Sequence, residues 1–127
     1  MARSTADGGP EFLSGTLEML ILRTLEAEEL HGYGIARAIE AASGARLSIE
    51  EGSLYPALHR LEKRGDVRPE WKVSPTNRRA RYYSLTQQGK KHLKKTTTAW
   101  LDVSAAVNRV LGLVPANQPT LGRAEAT

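Results

Sequence analysis

The sequence predicts a mainly α protein with a small β-wing: a winged helix-turn-helix domain followed by a long C-terminal dimerisation helix. Three observations carry this reading. Residues 51–65, EGSLYPALHRLEKRG, set Leu54, Leu58 and Leu61 at helical spacing and close on Gly65. Residues 66–85, DVRPEWKVSPTNRRARYYSL, alternate apolar and polar positions on either side of a Ser-Pro-Thr-Asn turn. Charge is also segregated along the chain. Residues 53–95 hold twelve Lys and Arg against Glu62, Asp66 and Glu70, a net of +9, whereas residues 1–52 hold four against nine, a net of −5. A helix that fits a major groove, followed by a cationic β-ribbon, is the footprint of a polyanion binder.

The 127 residues fit one domain with a core of modest size, and a hydrophobic fraction of 40% is ordinary for a folded chain. The absence of cysteine excludes disulfides, thiol catalysis and the common zinc modules. The N-terminal MARSTADGGPEFLSG lacks the apolar centre of a secretory signal. The longest apolar stretch, Leu17 to Leu25, is interrupted by Glu18 and Arg23 and is too short to span a bilayer. A cytoplasmic protein without membrane contact is expected.

Residues 1–14 read as a flexible tail, rich in Gly and Ser with a Gly-Gly-Pro turn signal. Ser14 or Thr16 can cap a first helix running to about Glu29. Its Leu17, Met19, Leu20, Ile21, Leu22 and Leu25 fall on more than one face. A helix apolar nearly all round needs two burial partners, so one face is expected on the core and another, through Leu17 and Ile21, on a second subunit. His31-Gly32-Tyr33-Gly34 reads as a turn, and Ile35, Ala38, Ile39 and Ala42 form a short second helix ending near Gly44.

Ser48 and Glu51 have capping-box spacing for a third helix over 50–64. Its buried stripe leaves Ser53, Pro56, His59, Arg60 and Lys63 facing outward. Pro56 conflicts with a start at Glu50, because past the first turn it removes a backbone hydrogen bond; a start nearer Gly52 or Ser53 would relieve this. The wing occupies 66–85, with Pro69 suited to an edge strand. Thr86 then caps a helix over 87–112. Along it Leu93, Thr96, Trp100, Val103, Val107 and Val110 follow the alternating steps of a coiled-coil seam, held for about two and a half heptads. Gly112 and Pro115 end it, and residues 113–127 read as a second tail. The winged domain proper spans 15–86.

His31, His59 and His92 lie on different elements without ligand spacing, so structural roles are favoured over metal binding or catalysis. No nucleophile–His–carboxylate set, Gly-rich phosphate loop or paired-carboxylate pocket is present, and no catalytic residue, metal or cofactor is expected. The outward face of the third helix alone fits an ordinary solvated surface equally well. The adjacent Arg78-Arg79-x-Arg81 shifts the balance, because two neighbouring basic elements match a groove and its flanking phosphates. Lys72, Arg60, Arg81 and Tyr33 join Arg78 and Arg79 as candidate phosphate contacts. Trp100 reads first as a large knob in the dimer seam. Near a two-fold axis it could also pair with its symmetry mate around a flat ligand.

The segments GTLEMLILRTL, HGYGIARAIE, EGSLYPALHRLEKRG and NRRARYYSLTQQGKKHL, together with the Trp100 helix, resemble the PadR family of transcriptional regulators over about residues 15–112. The single short C-terminal helix is similar to that of the smaller subfamily. The resemblance implies a winged-helix homodimer that represses transcription from an inverted-repeat operator in double-stranded DNA. It places Ser53, Tyr55, Pro56, His59 and Lys63 in the major groove, and Arg78 and Arg79 on phosphates or in the minor groove. It further implies that each subunit's C-terminal helix, carrying the Leu93, Trp100, Val103, Val107 and Val110 seam, packs against the other subunit's N-terminal helix, and that Trp100 stacks a small planar aromatic effector. A second reading from another class is a winged-helix interaction module whose basic face serves an acidic protein without sequence-specific DNA binding.

Overall fold

The structure, a computed structural model, describes residues 11–113. Most of the two expected tails, and Pro115 with them, lie outside the described residues. The element order is α1 (Glu11–Ala27), β1 (Leu30–His31), α2 (Gly32–Ala42), α3 (Glu51–Arg64), β2 (Val67–Val73), β3 (Arg79–Leu85) and α4 (Gln87–Leu111). The chain forms two compact units, divided between Lys95 and Thr96, so the first turns of α4 belong with the winged unit.

Helix α1 begins at Glu11, which makes Ser14 and Thr16 helical residues rather than caps. Its Leu17, Ile21, Leu22 and Leu25 are buried with Ile35 and Ile39 of α2, with Leu54, Ala57, Leu58 and Leu61 of α3, and with Val67, Tyr83 and Leu93. Met19 and Leu20 pack against the same cluster. Both sets of apolar residues on α1 therefore find burial within the chain. Leu17, Ile21 and Leu93, expected at a subunit interface, sit instead in the protomer's own core, because three helices and the sheet close over them.

His31-Gly32-Tyr33-Gly34 is not a turn but the start of α2. His31 is its N-cap, with Nδ1 accepting from the Gly34 N–H at 3.0 Å. The two residues before it form β1, a strand too short to leave a periodic signal, which pairs Leu30 with Tyr83 and His31 with Tyr82. The wing is thus a three-stranded antiparallel sheet in the order β1–β3–β2. Pro69 lies on the edge strand β2, where its missing N–H breaks no ladder bond.

Helix α3 starts at Glu51 behind Glu50, and no side chain caps it, so the Ser48–Glu51 box does not form. Ile49 and Leu54 occupy the two positions of a hydrophobic staple and both pack on the core, which fixes the entry of the chain instead. Pro56 is therefore inside the helix. Its missing N–H leaves the Gly52 carbonyl without an intrahelical partner, which exposed Gly52 can satisfy with water. Gly65 ends α3 at φ +83°, with its own N–H on the Glu62 carbonyl at 3.0 Å and that of Asp66 on Leu61 at 2.9 Å. Thr86 Oγ1 accepts from the Gly89 N–H at 3.0 Å as the expected cap of α4, and donates to the Gly65 carbonyl at 2.6 Å. Gly112, at φ +77°, closes the helix as expected.

Candidate nucleic-acid interface

Helix α3 turns two chemically distinct faces outward and inward. Leu54, Ala57, Leu58 and Leu61 are buried, while Ser53, Tyr55, Pro56, His59 and Lys63 are all exposed. Tyr55 leans across the start of α2, where a methyl group at position 32 would come 2.6 Å from its hydroxyl oxygen; Gly32 makes that approach possible. His59 Nδ1 lies 2.9 Å from the Tyr55 carbonyl. A carbonyl can only accept, so Nδ1 carries the proton, and in the neutral ring Nε2 is left as an acceptor.

The wing tip is an ordered turn. The Ser74 N–H donates to the Arg78 carbonyl at 2.7 Å, the Asn77 N–H donates to the Ser74 carbonyl at 2.8 Å, and the Arg78 N–H donates to Ser74 Oγ at 3.2 Å. Asn77 takes the left-handed conformation, φ +63°, that its short polar side chain tolerates. Arg78 and Arg79 therefore leave a fixed backbone. Between α3 and the wing lies an open cleft of about 530 Å³ lined by Tyr33, Tyr55, His59, Trp71, Arg78, Arg79 and Arg81.

The cations divide into two groups. Arg60 Nε is 2.5 Å from Glu18 Oε2, and Arg64 Nη2 is 2.5 Å from Oε1 of the same buried carboxylate, which ties α3 to α1. The hydrogen bond that Arg64 donates to Glu18 raises the Arg64 pKa above its ordinary value. Lys72 is bonded to Glu29, which raises its pKa as well. Arg81 Nη2 is 2.9 Å from Glu62 Oε2, joining β3 to α3. Lys63, Arg78 and Arg79 have no carboxylate partner among the described residues. Of the candidate phosphate contacts, Arg60, Lys72 and Arg81 are thus ion-paired within the chain at its surface, because the topology brings acidic residues of α1, the α1–β1 link and α3 against them. Arg78, Arg79 and exposed Tyr33 remain available.

Glu18→Ala is expected to remove both α1–α3 bridges and lower stability by about 1–3 kcal/mol, read as the midpoint of urea unfolding.

His31 and Trp71 are among the cleft residues that carry no functional signal in the sequence. His31 is hidden by its role as a cap. In the alternating pattern of residues 66–85, Trp71 falls with Val67 and Val73 on one strand face. Only Val67 is buried, because that face runs past the core into the cleft, and Trp71 is 55% exposed.

Comparison with known proteins identifies this arrangement. The sequence matches the PadR-like family of transcriptional regulators over residues 21–95, more than half of the chain. The chain belongs to the PadR family. A transcriptional regulator from Clostridium thermocellum superposes with a TM-score of 0.71 at 28% identity, covering 79% of this chain and 97% of that one. A PadR-like transcriptional regulator from Bacillus cereus gives 0.67 at 30% identity, covering 80% and 97%. A 37.1 kDa protein of transposon TN4556 from Streptomyces fradiae is 40% identical over 90 residues, which is 71% of this chain but 24% of that protein. The PadR family and these structural relatives are transcriptional regulators rather than enzymes, and the PadR fold of this chain supports a DNA-binding regulator. No helix among the described residues is long and apolar enough to cross a membrane, and no group of His, Cys, Asp or Glu among them could hold a metal ion.

Proposed function

We propose that this PadR-family protein is a homodimeric, cytoplasmic repressor that reads an inverted-repeat operator with α3 in the major groove and the wing on the flanking backbone. The division among the cations carries the reading. Arg60, Arg64, Lys72 and Arg81 hold the scaffold together, whereas Lys63, Arg78 and Arg79 keep their donors. Those three flank the α3 groups that suit base edges: Ser53, Tyr55, Pro56 and His59. Basic groups position a protein on phosphates, and groove-facing side chains supply specificity.

Exposed Leu101, Val103, Val107 and Val110 in the second part of α4 support pairing of two copies. Such pairing would set two recognition helices about 34–36 Å apart, on successive major grooves. Trp100, partly exposed in the same segment, is the candidate contact for a planar aromatic effector. A protein bound across a promoter in this way blocks transcription until it is released.

Arg79→Ala is expected to weaken operator and random duplex alike, by roughly tenfold, and to flatten the salt dependence by about one phosphate contact per subunit. Tyr55→Ala or His59→Ala is expected to weaken operator binding by about 1–3 kcal/mol while leaving random DNA nearly unchanged. Competition gels with operator-like and scrambled duplexes separate the two effects. Equal affinity for both duplexes in the wild-type protein would favour the protein-interaction module instead.

A further inference from the structure

We infer that Trp71 is the positioning residue for the wing arginine Arg79, holding its guanidinium flat so that its hydrogen-bonding edge is presented to the DNA backbone. This rests on the DNA-reading function proposed above. The guanidinium carbon of Arg79 lies 4.9 Å from the centroid of the Trp71 ring. The strand register explains the meeting. Trp71 pairs with Arg81 and Val73 with Arg79, so the indole and Arg79 are diagonal neighbours on one face of the hairpin.

Burial does not account for an aromatic at this place. Trp71 is more than half exposed, and Val73 beside it is exposed as well. What the ring does contact is the cation. A guanidinium stacked on an aromatic uses its face, and its five N–H donors stay free in the plane. An ion pair works the other way. Arg81, two residues on, gives a donor to Glu62 and is neutralised. Stacking is therefore the arrangement that fixes an arginine without consuming what it needs to bind phosphate. Arg78, with no ring or carboxylate against it among the described residues, is the unpositioned member of the pair.

The test is a double-mutant cycle on duplex binding with Trp71→Leu, Arg79→Ala and the combination, with Trp71→Phe as the conservative variant. Trp71→Leu is expected to weaken binding about two- to fivefold, and Trp71→Phe to recover most of that loss. The combined variant should bind no worse than Arg79→Ala alone, because the indole acts only through the arginine. Losses that multiply in the combined variant would overturn the inference, as would a Phe variant no better than Leu. Tryptophan emission of the protein without DNA supplies a readout independent of the DNA-reading function. Comparing wild type with Arg79→Ala cancels the contribution of Trp100, and uncovering of the Trp71 ring should shift emission to the red and increase acrylamide quenching. Emission and quenching identical in the two proteins would show that the stack does not exist, whatever the protein binds.

Discussion

Gly89→Ala is expected to destabilise the protein by at least about 3 kcal/mol, although the same change in an ordinary helix interior stabilises by roughly 0.5–1 kcal/mol. The sign reverses because α4 crosses the end of α3 at this residue. A methyl group there would lie deep inside contact distance of the Asp66 carbonyl oxygen and 2.7 Å from Leu85 Cδ1. The Leu85 methyl can shift, but the Asp66 backbone carbonyl cannot give way freely. The Asp66 carbonyl accepts the Thr86 N–H at 3.1 Å, and the Asp66 N–H is held by Leu61 at 2.9 Å. Urea unfolding checks this, and a Gly89→Ala protein as stable as wild type would contradict the close approach.

Asp66→Ala, at the same junction, is expected to cost about 2–4 kcal/mol. Asp66 is 1% exposed. Its Oδ2 accepts from His92 Nδ1 at 2.7 Å and from Arg64 Nε at 3.4 Å, and its Oδ1 accepts from Gln88 Nε2 at 3.3 Å. Gln88 also donates to the Arg64 carbonyl at the end of α3. One carboxylate thus fastens the last turn of α3 to the first turns of α4. Asp66→Asn retains the volume and one acceptor, so its thermal midpoint should fall between those of Ala and wild type. Equal midpoints for all three proteins would mean that these hydrogen bonds contribute nothing net.

These two residues also show what the sequence could not disclose. Gly65 and Thr86 were legible as a helix end and a helix start, because each signal is local: a left-handed glycine and a hydroxyl three residues before the amide it caps. Asp66 and Gly89 gave no such signal, since the closeness that matters arises only when the hairpin returns the chain to the end of α3. The paired cations follow the same rule. Arg78 and Arg79 could be read as exposed from the turn beside them. Arg60, Lys72 and Arg81 could not be read as neutralised, because Glu18 and Glu29 are more than forty residues away from their partners, and Glu62 lies on another element. The exposed face of α3 was readable because helical spacing alone separates Leu54, Leu58 and Leu61 from Ser53, Pro56 and His59. The start of that helix was not, since an apolar staple through Ile49 replaced the side-chain cap that the Ser48–Glu51 spacing suggested.

In the proposed function, α3 and the wing read DNA sequence as a symmetric pair. Selection of bound duplexes from a random-sequence pool by the purified full-length protein tests it most directly. The expected result is an enriched inverted repeat whose half-site centres lie about 10–10.5 base pairs apart, or a multiple of that spacing. A pool that is retained by the protein yet shows no enriched sequence after repeated rounds would contradict it.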